Sequence, residues 1–159
     1  MVPAQKFTFQ YSRVEDRLKM LINYDSAATR VDFFVTRAML LQLIPVIEQM
    51  FIKASSSLPQ PVVEKTGNLH VNLHRPASVE HATDTTTLAL LASSEILLLE
   101  KVVFAWQAHE KQIRLDLYAK GVLQSQAHLN GEQFAAVMHA MMQVVPHSSW
   151  GVAPNILEI

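Results

Sequence analysis

Histidine is the residue type in this chain best suited to chemistry, since there are seven histidines and no cysteine. His70 and His74 are four residues apart, so they would share one face of a β-strand, and His81 follows in the same segment. A metal site needs three or four ligands, commonly imidazoles completed by a carboxylate. These three histidines are therefore the candidate metal ligands, although no HExxH motif is present. A polar, histidine-rich loop without a metal is the alternative interpretation.

Carboxylates are grouped in two predicted turns. Glu15 and Asp16 lie together, and Glu110 occupies the matching place in the second half of the chain. Paired carboxylates can work as general acid and base when burial separates their pKa values. Here Arg17 and Lys111 flank them, so solvated turns with local ion pairs are the better interpretation.

Motifs for nucleophilic and nucleotide chemistry are absent from the sequence. There is no GxSxG or SxxK pattern, and the four glycines build neither GxGxxG nor a Walker A loop. Thirteen basic and fourteen acidic residues give a net charge of −1 without a basic cluster, which argues against nucleic acid as a partner. We therefore assign no catalytic residue and expect no cofactor.

Composition predicts one soluble domain over residues 1–159. Half of the residues are apolar and 17% are charged, which excludes a disordered chain. The start, MVPAQKFTFQ, lacks the apolar region of a signal peptide, and no apolar run approaches the roughly 20 residues of a membrane span. We expect a cytoplasmic protein without a membrane partner. The high apolar fraction indicates either a large core or a surface covered by a second copy.

An internal similarity links residues 7–53 with residues 97–146. It is explained either by duplication or by a shared order of elements, and both explanations predict the same architecture. The matching pairs include Phe9/Phe104, Tyr11/Trp106 and Met20/Leu115 at an offset of 95, and Ile44/Met138 and Ile47/Met141 at an offset of 94.

Each half reads as three strands followed by a helix. Alternating apolar residues predict strands over 7–12, 17–24 and 29–35, and then over 97–107, 112–118 and 122–129. The last strand is the most polar, which predicts a place near a sheet edge. Lys120-Gly121 predicts a tight turn before it.

The two helices carry start and stop signals. Thr36 is the predicted N-cap of a helix over 37–53, in which Pro45 predicts a kink or, alternatively, a break at Ile44. Asn130 with Gln133 predicts a capping box for the second helix, and Pro146 ends it. Methionines on both helices fit either an irregular core or an adaptable binding face.

The predicted fold is therefore α+β: two β-β-β-α units related by a pseudo-twofold axis in a single domain. Each antiparallel meander is expected to be covered by one amphipathic helix. Residues 54–87 form a long connection between the units, and the apolar residues of the tail over 147–159 predict that it packs.

The function predicted from these features is a non-catalytic protein-interaction or scaffold module, with a homodimer or another protein as partner. A small-ligand or metal-binding protein, or an enzyme, is the alternative. Its site would lie at the seam between the repeats or under the connection over 54–87, since long loops often act as lids.

Overall fold

The computed structural model describes residues 1–56 and 95–154, and within these ranges the protein is a mixed α+β fold, as predicted. The strands are β1 (Val2–Pro3), β2 (Phe7–Ser12), β3 (Arg17–Ile22), β4 (Val31–Val35), β5 (Ile96–Leu98), β6 (Lys101–Gln107), β7 (Gln112–Ala119) and β8 (Val122–Asn130). The helices are α1 (Arg37–Ser56), α2 (Gly131–Val144) and α3 (His147–Trp150).

The strands form two four-stranded sheets, with the orders β2-β3-β4-β5 and β6-β7-β8-β1. In each sheet three strands make an antiparallel meander, and the fourth strand joins its last member in parallel. That fourth strand comes from the other half of the chain. Each half therefore completes the sheet of the other, which ties them into one structure.

One strand prediction was wrong. The segment predicted as one strand over 97–107 is two strands, because the chain leaves the first sheet after β5 and enters the second at β6. The polar strand β8 lies near the edge of its sheet, as predicted, because only the two-residue strand β1 pairs beyond it. The Ala4 N–H donates to the Gln126 carbonyl (2.8 Å), and the Ser125 hydroxyl donates to the Val2 carbonyl (2.7 Å).

The hairpin turns have matching geometry in the two halves. The β2–β3 and β6–β7 loops each contain four residues, and the last of each, Asp16 and Lys111, has a φ near +50°. The β7–β8 loop is the two-residue turn Lys120-Gly121, with φ values of 53° and 73°. Positive φ at both positions defines the turn that suits the twist of a hairpin, so the tight-turn prediction is confirmed.

Both predicted helix caps are present. The Thr36 hydroxyl accepts the Met39 N–H (3.1 Å) at the start of α1. Asn130 and Gln133 form the reciprocal capping box of α2, with N–H to Oδ1 and Oε1 distances of 2.8 and 3.0 Å. Helix α1 is continuous through Pro45, so the predicted alternative of a break at Ile44 is wrong. Pro45 is exposed, which lets water bond to the carbonyl that a proline leaves without a helical donor.

The core lies between the inner faces of the two sheets and the two long helices. Helix α1 packs chiefly against β6, and α2 packs chiefly against β2, so each helix contacts the first long strand of the other half. The ring of Phe134 on α2 meets Phe51 at 5.2 Å and Phe104 at 6.0 Å between centroids. The helix methionines Met50, Met138, Met141 and Met142 are buried. They fill the core and do not form a binding face.

Candidate functional site

The predicted metal ligands His70, His74 and His81 lie outside the described residues, so that assignment stays a prediction. Within residues 1–56 and 95–154, no group of three or more His, Cys, Asp or Glu side chains could hold a metal ion. The carboxylates of the two turns are not paired there: Glu15 and Glu110 are both exposed at separate hairpin tips.

Asp16 accepts two side-chain hydrogen bonds that the sequence did not predict. Its Oδ1 accepts the Tyr11 hydroxyl (2.6 Å) and the indole N–H of Trp150 (2.9 Å). These two hydrogen bonds, the one from Tyr11 first, lower the pKa of the Asp16 carboxyl. Arg37 holds the same segment, because its Nε donates to the Trp150 carbonyl (2.9 Å). The cluster therefore fastens α3 to the β2–β3 turn and to the start of α1.

The Asp16 cluster predicts a pH dependence. Because the carboxyl pKa is lower in the folded state, its stabilising effect is complete above the unfolded value of about 3.9 and is lost as pH falls through the folded value. We expect Asp16→Asn to destabilise the protein at pH 5–8, and we expect the difference from the wild type to shrink as the pH falls below the unfolded pKa. Urea unfolding of both proteins across this range measures the difference. Glu15→Gln in the same turn is the matched control, and a constant difference at every pH would contradict the prediction.

An ion pair is buried on the outward face of the first sheet. Nε and Nη2 of Arg30 donate to the two carboxylate oxygens of Asp32 at 2.8 and 3.0 Å, and both side chains are 3% exposed. Such a bidentate pair satisfies both charged groups without water. The arrangement stabilises the sheet and leaves no open position for a substrate, so we read it as structural.

The seam between the repeats holds a cavity of about 20 Å³, lined entirely by apolar side chains. Its walls include three matching pairs: Phe9 with Phe104, Met20 with Leu115, and Ile47 with Met141. Ligand pockets are usually about 300–1,000 Å³ and carry a few polar groups. This cavity is a packing defect of the core, and its lining contains no group that would bind a metal or a polar ligand.

The outward face of α1 exposes large apolar side chains, which is unusual for a helix surface that contacts water. Its exposed positions are Arg37, Ala38, Leu41, Gln42, Pro45, Gln49, Ile52 and Lys53. Between the two terminal cations, the one charged residue on this helix is Glu48, which is half-buried beside Pro45 and Ile52 along the same stripe. Leu41 is 38% exposed and Ile52 is 61% exposed. A surface helix normally shows charged residues on this side, whereas a helix that is apolar all round is normally covered.

The same composition gives α1 a second property. Arg37–Ser55 is the one helix among the described residues that is long and apolar enough to cross a membrane by length and composition. Core helices of soluble proteins meet the same criteria, and 44% of this segment is buried in the fold. The finding is weak evidence for a membrane span.

The chain was compared with protein-family models, with curated proteins and with solved structures, and none of the three comparisons finds a match. The outward face of α1 is therefore the surface from which a function can be proposed.

Proposed function

We propose that this protein is a non-catalytic interaction module that forms a homodimer through the outward face of α1. The single observation that supports this most strongly is the partly apolar surface between Arg37 and Lys53 on a 20-residue helix, where half-buried Glu48 is the one charged side chain between those two cations. Such a helix is about 30 Å long, which is enough to supply the centre of a dimer interface. Burial of Leu41 and Ile52 would remove the largest exposed apolar side chains of this face from water.

The spacing of the exposed apolar residues on α1 favours a second copy of this chain as the partner on this face. In a twofold interface the same patch faces itself, so a residue and its partner exchange places across the axis. Leu41 and Ile52 lie at opposite ends of the stripe, with Pro45 close to its midpoint. In antiparallel packing of two α1 helices, Leu41 of each copy would contact Ile52 of the other copy. The two copies of Pro45 would lie near the twofold axis.

The dimer is tested by placing a carboxylate in this face. We expect Leu41→Glu and Ile52→Glu each to weaken dimerisation by at least about 2 kcal/mol, or roughly thirtyfold in Kd, because the twofold axis buries each new charge twice. Sedimentation velocity over a concentration series measures the Kd. Val14→Glu is the matched control, since Val14 is 94% exposed at the tip of the β2–β3 turn.

Two outcomes would contradict the dimer. One is a wild-type protein that stays monomeric at high micromolar concentration. The other is a dimer whose Kd changes no more in the α1 variants than in the Val14 variant. A monomer that sediments with anionic lipid vesicles would assign the same face to a membrane surface instead.

We also propose that the two halves arose by internal duplication. Three observations support this: the shared construction of the two sheets, the matching four-residue hairpin loops, and the matched pairs that line the seam cavity. Under this proposal α1 and α2 are equivalent helices. They differ on the outward side, where α2 exposes Glu132 and Gln143 and no large apolar side chain. The exposed large apolar side chains Leu41 and Ile52 would then be specific to the first half.

A further inference from the structure

The ring of His147 bridges the end of α2 and the C-terminal tail. Its Nε2 lies 2.9 Å from the carbonyl oxygen of Met142, in the last turn of α2, and its Nδ1 lies 3.1 Å from the carbonyl oxygen of Val152. The backbone closes the same loop, because the Val152 N–H donates to the His147 carbonyl (3.0 Å). His147 is half-buried and Val152 is buried. The ring is therefore held between two backbone carbonyl groups of the folded chain.

The Met142 carbonyl needs a donor that its own helix does not supply. In a continuing helix the residue four positions later would donate to it, and that residue is Pro146, which has no N–H. The His147 ring takes the place of the missing donor. The C-terminal end of a helix carries partial negative charge, so a cation is favoured there. Both features favour a ring whose Nε2 carries a proton.

The two carbonyl acceptors require two N–H donors from one ring. A carbonyl oxygen accepts hydrogen bonds and donates none, whereas a neutral imidazole has one N–H and one lone pair. A neutral His147 would therefore donate to Met142 or to Val152, and it would turn a lone pair towards the other oxygen. The protonated ring donates to both oxygens. The contacts of this side chain thus match the protonated form.

The charged and titratable side chains around this junction lie on α2, on the β2–β3 turn and at the start of α1. On the last two turns of α2 the titratable residue is His139. On the other two elements, Asp16 and Arg37 hold Trp150 through its indole N–H and its carbonyl. None of the ion pairs among the described residues includes His147. Carboxylates titrate in acid and arginine stays charged, so a change of charge here between pH 5 and 8 comes from a histidine.

We propose that His147 is a proton-dependent lock on the C-terminal tail. When the ring is protonated, two hydrogen bonds join the end of α2 to Val152, and loss of the proton leaves only one. Because the second bond exists only in the folded chain, folding favours the protonated ring, and the tail is held most firmly at acidic pH. This stabilisation is lost as the pH rises through the range in which imidazole groups titrate.

Opening of the lock releases a segment that two other elements also hold. Trp150 lies between His147 and Val152 along the chain, and it bonds to Asp16 and to Arg37. The two titrating groups act in opposite directions, because the contribution of Asp16 is lost as the pH falls. The lock lies at the end of α2 and does not rest on the proposed dimer.

Hydrogen exchange of backbone amides in the full-length protein tests the lock. The reporters are the amides of Trp150 and Val152, which donate to the carbonyls of Pro146 and His147. After correction for the intrinsic pH dependence of exchange, we expect their protection to fall at least about fivefold between pH 5 and pH 8, as for loss of one hydrogen bond. His147→Gln keeps a donor but does not titrate, so its protection should change less than about twofold. His139→Gln is the matched control and should keep the wild-type change.

A measurement on the wild-type ring keeps the test valid if His147→Gln disturbs the fold. By NMR of isotope-labelled protein, we expect both ring N–H protons of His147 to be protected from exchange with water at pH 5, and fewer than two at pH 8. The proposal is overturned if a ring proton exchanges freely at pH 5, if the tail amides are equally protected at both pH values, or if His147→Gln retains the wild-type pH dependence. Leu41→Glu should leave these results unchanged, which separates the lock from the dimer.

Discussion

Replacement of Trp150 by alanine is expected to destabilise the protein by about 3–5 kcal/mol, the usual cost of emptying a large aromatic site in a core. Trp150 is 1% exposed, although it lies after the last long helix. Its ring meets Tyr11 edge-on at 6.1 Å, and its indole N–H donates to Asp16. The substitution therefore removes core volume, an aromatic contact and the bond that holds α3 to the β2–β3 turn.

Chemical denaturation followed by circular dichroism measures this loss. Trp150→Phe is the control that keeps an aromatic ring and loses the indole donor, and we expect it to cost about 1–2 kcal/mol. A loss below about 1 kcal/mol for Trp150→Ala would mean that the tail does not pack on β2 in solution. Equal losses for the two variants would assign the whole effect to the hydrogen bond.

The buried Arg30–Asp32 pair carries the second large effect. We expect Asp32→Ala to cost about 3–5 kcal/mol, because it takes away the carboxylate to which two guanidinium nitrogens donate while the arginine side chain remains 3% exposed. Removal of one member of a buried pair takes the adjacent counter-charge away from the member that stays buried. Equilibrium unfolding in urea measures the change in free energy.

Two further variants decide whether the loss comes from the charge. The double replacement Arg30→Met with Asp32→Leu is expected to recover most of the stability, since apolar side chains of similar volume can replace a buried ion pair. Asp116→Ala is the matched single variant on the other sheet and should cost less, because water reaches Arg114. A double variant as unstable as Asp32→Ala would contradict this explanation.

The two arginine–aspartate pairs show that the same local sequence pattern does not decide burial or hydrogen-bond geometry. Arg30 lies just before β4 and Asp32 lies on it, whereas Arg114 and Asp116 both lie on β7, and the members of each pair are two residues apart. In the first pair the guanidinium is buried and donates to both carboxylate oxygens. In the second it is more than a third exposed and lacks the hydrogen-bond angle. The same two residue types therefore form a buried bidentate pair on one sheet and a partly exposed ion pair on the other.

Features that depend on a few neighbouring residues could be predicted from the sequence alone. The caps at Thr36 and Asn130 and the Lys120-Gly121 turn were predicted correctly, because a cap or a tight turn is decided by side chains within three or four residues. The antiparallel meanders follow from period-two alternation for the same reason. The packing of the tail was also predicted correctly as far as residue 154, where the description ends, since Trp150 and Val152 are buried.

Features that depend on contacts between distant residues were decided only by the tertiary structure. No local signal marks β1 or β5 as the strand that completes the sheet of the other half, because two or three residues carry no periodicity. The partner of Asp16 lies 134 residues away along the chain. Sequence periodicity places Leu41 and Ile52 on α1, but it does not show that their side of the helix is left uncovered. Exposure is a property of the whole packed chain, and the proposed dimer surface depends on it.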